Sequence, residues 1–168
     1  MSLNNIILNP QLMEQWFHKS IYLEATSISN VSNDEIIETE FKHAGKNQKN
    51  ILIVSKYADA PTISDEDLLF LTQLLKACQL TLADVAILNF QNFDARYFKS
   101  IITYFKSKNI LLFGTSTADF GFPFEIPNYK LQHHNNINVI SSNTLAAIKE
   151  DKTQKALLWA ALKQMFNL

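Results

Sequence analysis

The chain has 168 residues, 47% of them apolar, with a net charge of −1. That length fits one domain of roughly 100–200 residues, and the apolar fraction excludes a wholly disordered chain. The near-neutral balance, with a pI of about 6.4, gives no support to a phosphate-tracking protein, which needs a basic face.

Asn9-Pro10 has the form of a helix start, with Asn as N-cap and Pro at the first helical position. Leu12, Met13, Trp16 and Phe17 follow at helical spacing, and Ile21, Tyr22 and Leu23 prolong the apolar character. Residues 1–24 therefore read as an amphipathic N-terminal segment, and residues 25–168 as a single α/β domain. Between 24 and 50 the chain is polar, with sparse anchors at Ile28, Val31, Ile36, Ile37 and Phe41 that allow one or two short strands. The run from Gly45 to Asn50 reads as a turn.

Ile51-Leu52-Ile53-Val54 is a continuous apolar run of the kind found in strands buried on both faces. Ser64 with Asp67 three residues on forms a capping box for a helix carrying Leu68, Leu71, Leu74, Leu75 and Cys78 on one stripe. A second strand is expected at Val85 to Phe90. Asp94 can start another helix, in which Phe98, Ile101, Ile102 and Phe105 make one buried stripe. A third strand follows at Ile110 to Phe113, then a long loop over 115–129, a short fourth strand at Asn138 to Ile140, and a last helix over about 150–166. Strands alternating with helices predict a three-layer α/β/α domain around a short, mostly parallel four-stranded sheet.

Few residues point to chemistry. With only three glycines, the chain holds neither a P-loop nor a G-x-G-x-x-G turn, and the first strand exits through Ser55-Lys56-Tyr57-Ala58. The pair His133-His134 has no C-x-x-C or H-E-x-x-H beside it and reads as an exposed loop pair. The single Cys78 lies on an apolar helix face, where it acts as a small hydrophobe. Gly114-Thr115-Ser116 lacks the second glycine of a nucleophile elbow. Ser141-Ser142-Asn143-Thr144 suits a helix cap after the last strand. Phe120-Gly121-Phe122-Pro123-Phe124 could stack on a base or form a partner surface, but its main reading is a seal on the sheet edge. No cofactor and no metal are expected. No apolar run approaches the ~20 residues of a membrane span, and no secretory signal is visible, so the expected compartment is the cytoplasm.

Three stretches together resemble the psi subunit family of bacterial DNA polymerase III. They are Ile51 to Ser55 running to Ala60-Pro61-Thr62; Leu74 to Leu88 through Leu82-Ala83-Asp84-Val85; and Ile140 to Ile148 followed by Lys155-Ala156-Leu157-Leu158-Trp159. Leu12 to Trp16 is similar to that family's amphipathic N-terminal segment. The resemblance implies a uracil-DNA glycosylase-like fold and a non-catalytic accessory subunit bridging the clamp loader and a chi subunit, without direct nucleic-acid contact. It places clamp-loader binding on the N-terminal segment, with Trp16 and Phe17 as anchors supported by Leu12, Ile21 and Tyr22. Glycosylases of that fold keep a water-activating Asp or Asn after the first strand and a His-Pro-Ser motif after the last. Here those positions read Ser55-Lys56-Tyr57-Ala58-Asp59 and Ser141-Ser142-Asn143-Thr144, without the His. The rival readings are a diverged glycosylase, with Asp59, Phe120, Phe122 and Asn143 lining its crevice, and a small-ligand binding module using the same crevice.

Overall fold

The computed structural model describes residues 40–168. The chain separates into two units, Met1–Glu35 and Ile36–Leu168. Leu12, Trp16, Phe17, Ile21 and Tyr22 lie outside the described residues.

Six strands form one sheet: β1 (His43–Gly45), β2 (Ile51–Ser55), β3 (Val85–Asn89), β4 (Asn109–Phe113), β5 (Leu131–His134) and β6 (Ile137–Ser142). Their spatial order is β1-β3-β2-β4-β6-β5. The four interior strands, β3, β2, β4 and β6, are mutually parallel and coincide with the four expected apolar runs. The sheet is nevertheless mixed and six-stranded, which corrects the expectation of four. β1 pairs with β3 and β5 with β6, both antiparallel, at the two margins. Their sequences, His-Ala-Gly and Leu-Gln-His-His, carry no apolar run; pairing to a neighbour, and not burial, makes them strands.

Five helices cover the sheet: α1 (Asp65–Ala77), α2 (Phe98–Phe105), α3 (Thr117–Phe120), α4 (Leu145–Glu150) and α5 (Lys152–Phe166). Because side chains alternate along a strand, each interior strand feeds two cores. Ile51, Ile53, Val85, Ile87, Leu111, Phe113 and Ile140 pack against Leu71 and Leu75 of α1, Ile148 of α4 and Leu158 and Leu162 of α5. Leu52, Val54, Ala86, Leu88, Ile110, Leu112 and Val139 pack against Ile101 and Phe105 of α2 and Phe120 of α3. The result is the expected three-layer α/β/α arrangement. Among the described residues no helix is long and apolar enough to cross a membrane.

Local chemistry sets the helix ends. The Ser64 hydroxyl accepts from the Asp67 N–H at 3.3 Å, and Asp65, Glu66 and Asp67 fill the positive first turn of α1. Asp94 caps a 3₁₀ turn over Ala95–Tyr97 that leads into α2. The long loop expected after β4 contains α3, capped by Ser116 and closed by Gly121 at φ +120°. The expected last helix is α5; Asp151, whose carboxylate accepts from the N–H groups of Thr153 and Gln154, starts it and separates it from α4. The extended backbone of Asp151, φ −111° and ψ 113°, cannot continue α4.

Candidate functional site: the carboxyl edge of the parallel sheet

Ligands of open α/β sheets collect beyond the carboxyl ends of the strands, where strand order reverses. Here that reversal falls between β2 and β4. The edge carries Ser55 from β2, Asn89 from β3, Gly114-Thr115 after β4, Ser141-Ser142 from β6 and Asn143 just after it.

Asn89 ties β3 to the loop that follows β2. Its Oδ1 accepts from the Tyr57 N–H at 3.1 Å and the Gln91 N–H at 3.0 Å. Its Nδ2 donates to the carbonyls of Tyr57 at 2.8 Å and Ala60 at 2.7 Å. All four of the hydrogen bonds it can make near its plane are internal. Below the loop, the Tyr57 hydroxyl donates to Asp67 Oδ2 at 2.7 Å, and Lys149 Nζ of α4 lies 3.1 Å from Asp67 Oδ1. Burial pushes the Tyr57 phenol up, and the neighbouring Asp67 carboxylate pushes it further in the same direction. For Asp67, burial pulls upward, but the hydrogen bonds from Tyr57 and Lys149 outweigh it and hold the carboxyl below its usual range. Lys149 is raised, chiefly by its hydrogen bond to Asp67.

A second polar web closes the β6 side. Asn143 Nδ2 donates to Gln154 Oε1 at 2.8 Å, and Asn128 Nδ2 donates to Asn143 Oδ1 at 2.9 Å. The Tyr129 hydroxyl donates to the same Gln154 oxygen at 2.8 Å, and Gln154 Nε2 donates to Asp151 at 3.0 Å. Ser142 Oγ lies 3.1 Å from the Leu112 carbonyl. Thr144 caps α4 through the Ala147 N–H at 3.3 Å, so the cap expected from its residue type is present. Two hydroxyls at this edge, Ser55 Oγ and Thr115 Oγ1, are buried without a protein partner.

The residues named as a crevice do not come together. Phe120 and Phe122 are 0% and 4% exposed and belong to the core on the α2–α3 side. Phe120 stacks against Phe90 at 5.1 Å and Phe98 at 5.6 Å, so these rings seal that layer. Asn143 is bound to α5, which covers the opposite face. Asp59 stands exposed in the loop after β2. A cavity of about 380 Å³ does open at this edge, but its walls are Tyr57, Ala58, Pro61, Asn89, Phe93 and the segment bearing Glu40 and Lys42. The histidine pair lies on β5 and not in a loop; His133 bonds Asn138 Oδ1 at 2.8 Å and His134 stacks on Phe124 at 4.9 Å. Among the described residues no three His, Cys, Asp or Glu side chains are grouped to hold a metal ion.

Sequence reasoning missed Tyr57, Asn89, Lys149 and Gln154. Asn89 carried the one available signal, a polar residue ending an otherwise apolar strand. The other three are ordinary loop or helix residues until the fold sets them opposite their partners. Comparison with protein families finds no matching family model, and no curated protein matches the chain.

Proposed function

We propose that the protein is a non-catalytic accessory subunit of the DNA polymerase III holoenzyme, of the psi kind, with a uracil-DNA glycosylase-like fold. It would work in the cytoplasm, joining the clamp loader to a second, chi-like subunit. The observation that carries this reading is the state of the carboxyl edge. Polar side chains at and below this edge are spent internally: Asn89 on the β2 loop, Asp67 on Tyr57 and Lys149, and Asn143 on Gln154 and Asn128. An edge satisfied from within, apart from the Ser55 and Thr115 hydroxyls, suits a rigid scaffold. The parallel interior order β3-β2-β4-β6 between two helical layers also supports the fold assignment.

On this reading residues 1–24 bind the clamp loader, with Trp16 and Phe17 as anchors and Leu12, Ile21 and Tyr22 beside them. Burying one such aromatic contributes about 2 kcal/mol, less the cost of ordering the segment. A pull-down of clamp-loader subunits with the full chain is expected to succeed, and to lose most of the captured material on Trp16→Ala plus Phe17→Ala. Capture unaffected by the double substitution, or no capture by the parent chain, would overturn the assignment.

The cavity bounded by Tyr57 and Phe93 favours a second reading, a small-ligand module using this edge. Its mark would be a nucleotide- or base-dependent rise in melting temperature, abolished by Tyr57→Ala. The diverged-glycosylase reading has no such observation in its favour, since Phe120 and Phe122 are buried in the core and Asn143 is bound to Gln154 and Asn128.

A further inference from the structure

The two ends of the sheet differ sharply in charge. Six lysines, Lys46, Lys49, Lys76, Lys106, Lys108 and Lys163, are exposed in turns and helix ends at the amino-terminal end of the parallel strands. Among the described carboxylate side chains only Asp84 lies there, 3.8 Å from Lys49. Most of the remaining acidic residues of the described chain follow the strands' carboxyl ends or start helices beside them, and Glu40 lines the cavity at that edge. Even with a terminal carboxylate on Leu168 counted, this end is strongly positive.

Hydrogen bonds hold the lysine-bearing turns in one surface. Asn47 Nδ2 donates to the Phe105 carbonyl at 2.7 Å, setting Lys46 beside Lys106. The N–H groups of Gln48 and Lys49 donate to Ala83 and Asp84 at 3.1 and 3.0 Å, and the Lys108 N–H to Asn50 at 2.9 Å. Between these turns lies a cavity of about 390 Å³ with Lys49 and Asn109 at its rim. Ile51, Cys78 and Leu80 are its buried apolar wall, and Phe166 and Leu168 stand at its mouth.

We infer that this end of the domain is a docking site for an acidic peptide carrying an apolar side chain. The lysines complement the acidic flanks and steer the encounter, while the apolar cavity takes the side chain and fixes the register. A nucleic-acid strand fits less well. The sequence's one arginine, Arg96, is paired with Asp94, and the cavity has a single ring, Phe166, and no guanidinium group where base recognition would use several stacking rings and guanidinium groups. The site uses none of residues 1–24, so failure of the clamp-loader experiment would leave it standing.

The test is fluorescence anisotropy of the full chain with a fluorescein-labelled peptide, Asp-Asp-Asp-Leu-Phe-Asp-Asp-Asp, at low ionic strength. Saturable binding is expected, weakening as salt rises. Lys46→Glu with Lys108→Glu should reduce affinity by about tenfold or more, whereas Lys152→Glu with Lys155→Glu, at the other end, should leave it unchanged. Replacing Leu-Phe in the peptide by Ser-Ser, or Leu168 by Asp in the protein, should also weaken binding. Circular dichroism melts check folding; should the reversal variant not fold, Lys46→Ala with Lys108→Ala is read in the same direction. Absence of saturable binding, indifference to the lysine substitutions, or equal binding of the Ser-Ser peptide would overturn the inference. Tighter binding of single-stranded oligothymidylate with the same lysine dependence would overturn it in favour of a nucleic-acid surface.

Discussion

Replacing Asn89 by alanine removes four hydrogen bonds at once, two accepted and two donated, all to the loop that leaves β2 and the turn that leaves β3. At about 1 kcal/mol net for each, the ceiling is ~4 kcal/mol. Asn89 is half-buried, so water can replace some of these partners, and the expected loss is about 2–3 kcal/mol in urea denaturation with an unchanged slope. Aspartate is the sharper probe. Its carboxylate still accepts from the Tyr57 and Gln91 N–H groups, but it sets a second anionic oxygen against the Tyr57 and Ala60 carbonyls, 2.8 and 2.7 Å from the present Nδ2. Asn89→Asp should therefore be at least as damaging as alanine at neutral pH. It should recover part of its stability in acid, where the protonated carboxyl can donate once. An alanine variant within about 0.5 kcal/mol of the parent, or an aspartate variant as stable as the parent at pH 7, would refute the reasoning.

Two further predictions concern the core and the Tyr57–Asp67–Lys149 chain. Phe120→Ala, at a fully buried ring, should cost about 3–5 kcal/mol and lower the melting temperature by roughly 10 °C, with Phe120→Leu intermediate; a loss below about 1 kcal/mol would show that the aromatic layer collapses freely around the gap. Because the Asp67 carboxyl is held low in the fold, its contribution is present above the ordinary carboxylate range near ~3.9 and is lost as pH falls through the folded value. Tyr57 and Lys149 are held high, so theirs is present below ~10 and is lost as pH rises beyond it. Urea midpoints followed across pH should show Asp67→Asn flattening the acid limb, and superimposable profiles would contradict the assigned role.

The interior of the fold is readable from residue patterns because burial on both faces demands continuous apolar runs. Ile51–Val54, Val85–Leu88 and Ile110–Phe113 could scarcely be anything but central strands, and Ser64 with its acidic first turn announces α1. The margins are not readable in this way. β1 and β5 exist because β3 and β6 offer free edges, and their own residues express no preference. α3 and the break at Asp151 depend on single capping side chains, Ser116 and Asp151, set among many polar residues that cap nothing. At the carboxyl edge the residue types were legible and the partnerships were not. Tyr57, Asp67 and Lys149 meet only after β2, α1 and α4 have packed on one face, and Phe120 and Phe122 turn inward because α2 leaves a layer for them to fill.

The short margins have a consequence for association. A sheet edge is a template for another strand, yet β1 contributes three residues and β5 four. β5 ends in a left-handed turn at Asn135 and Asn136, and β1 in another at Asn47, with Gly45 so close to the Val85 carbonyl that a Cβ would stand 2.1 Å from it. An incoming strand would gain only a few ladder bonds before the template turned away. Assembly with other chains is thus steered from backbone zippering toward side-chain surfaces, where identity is read residue by residue and a partner can be exchanged without disturbing the sheet.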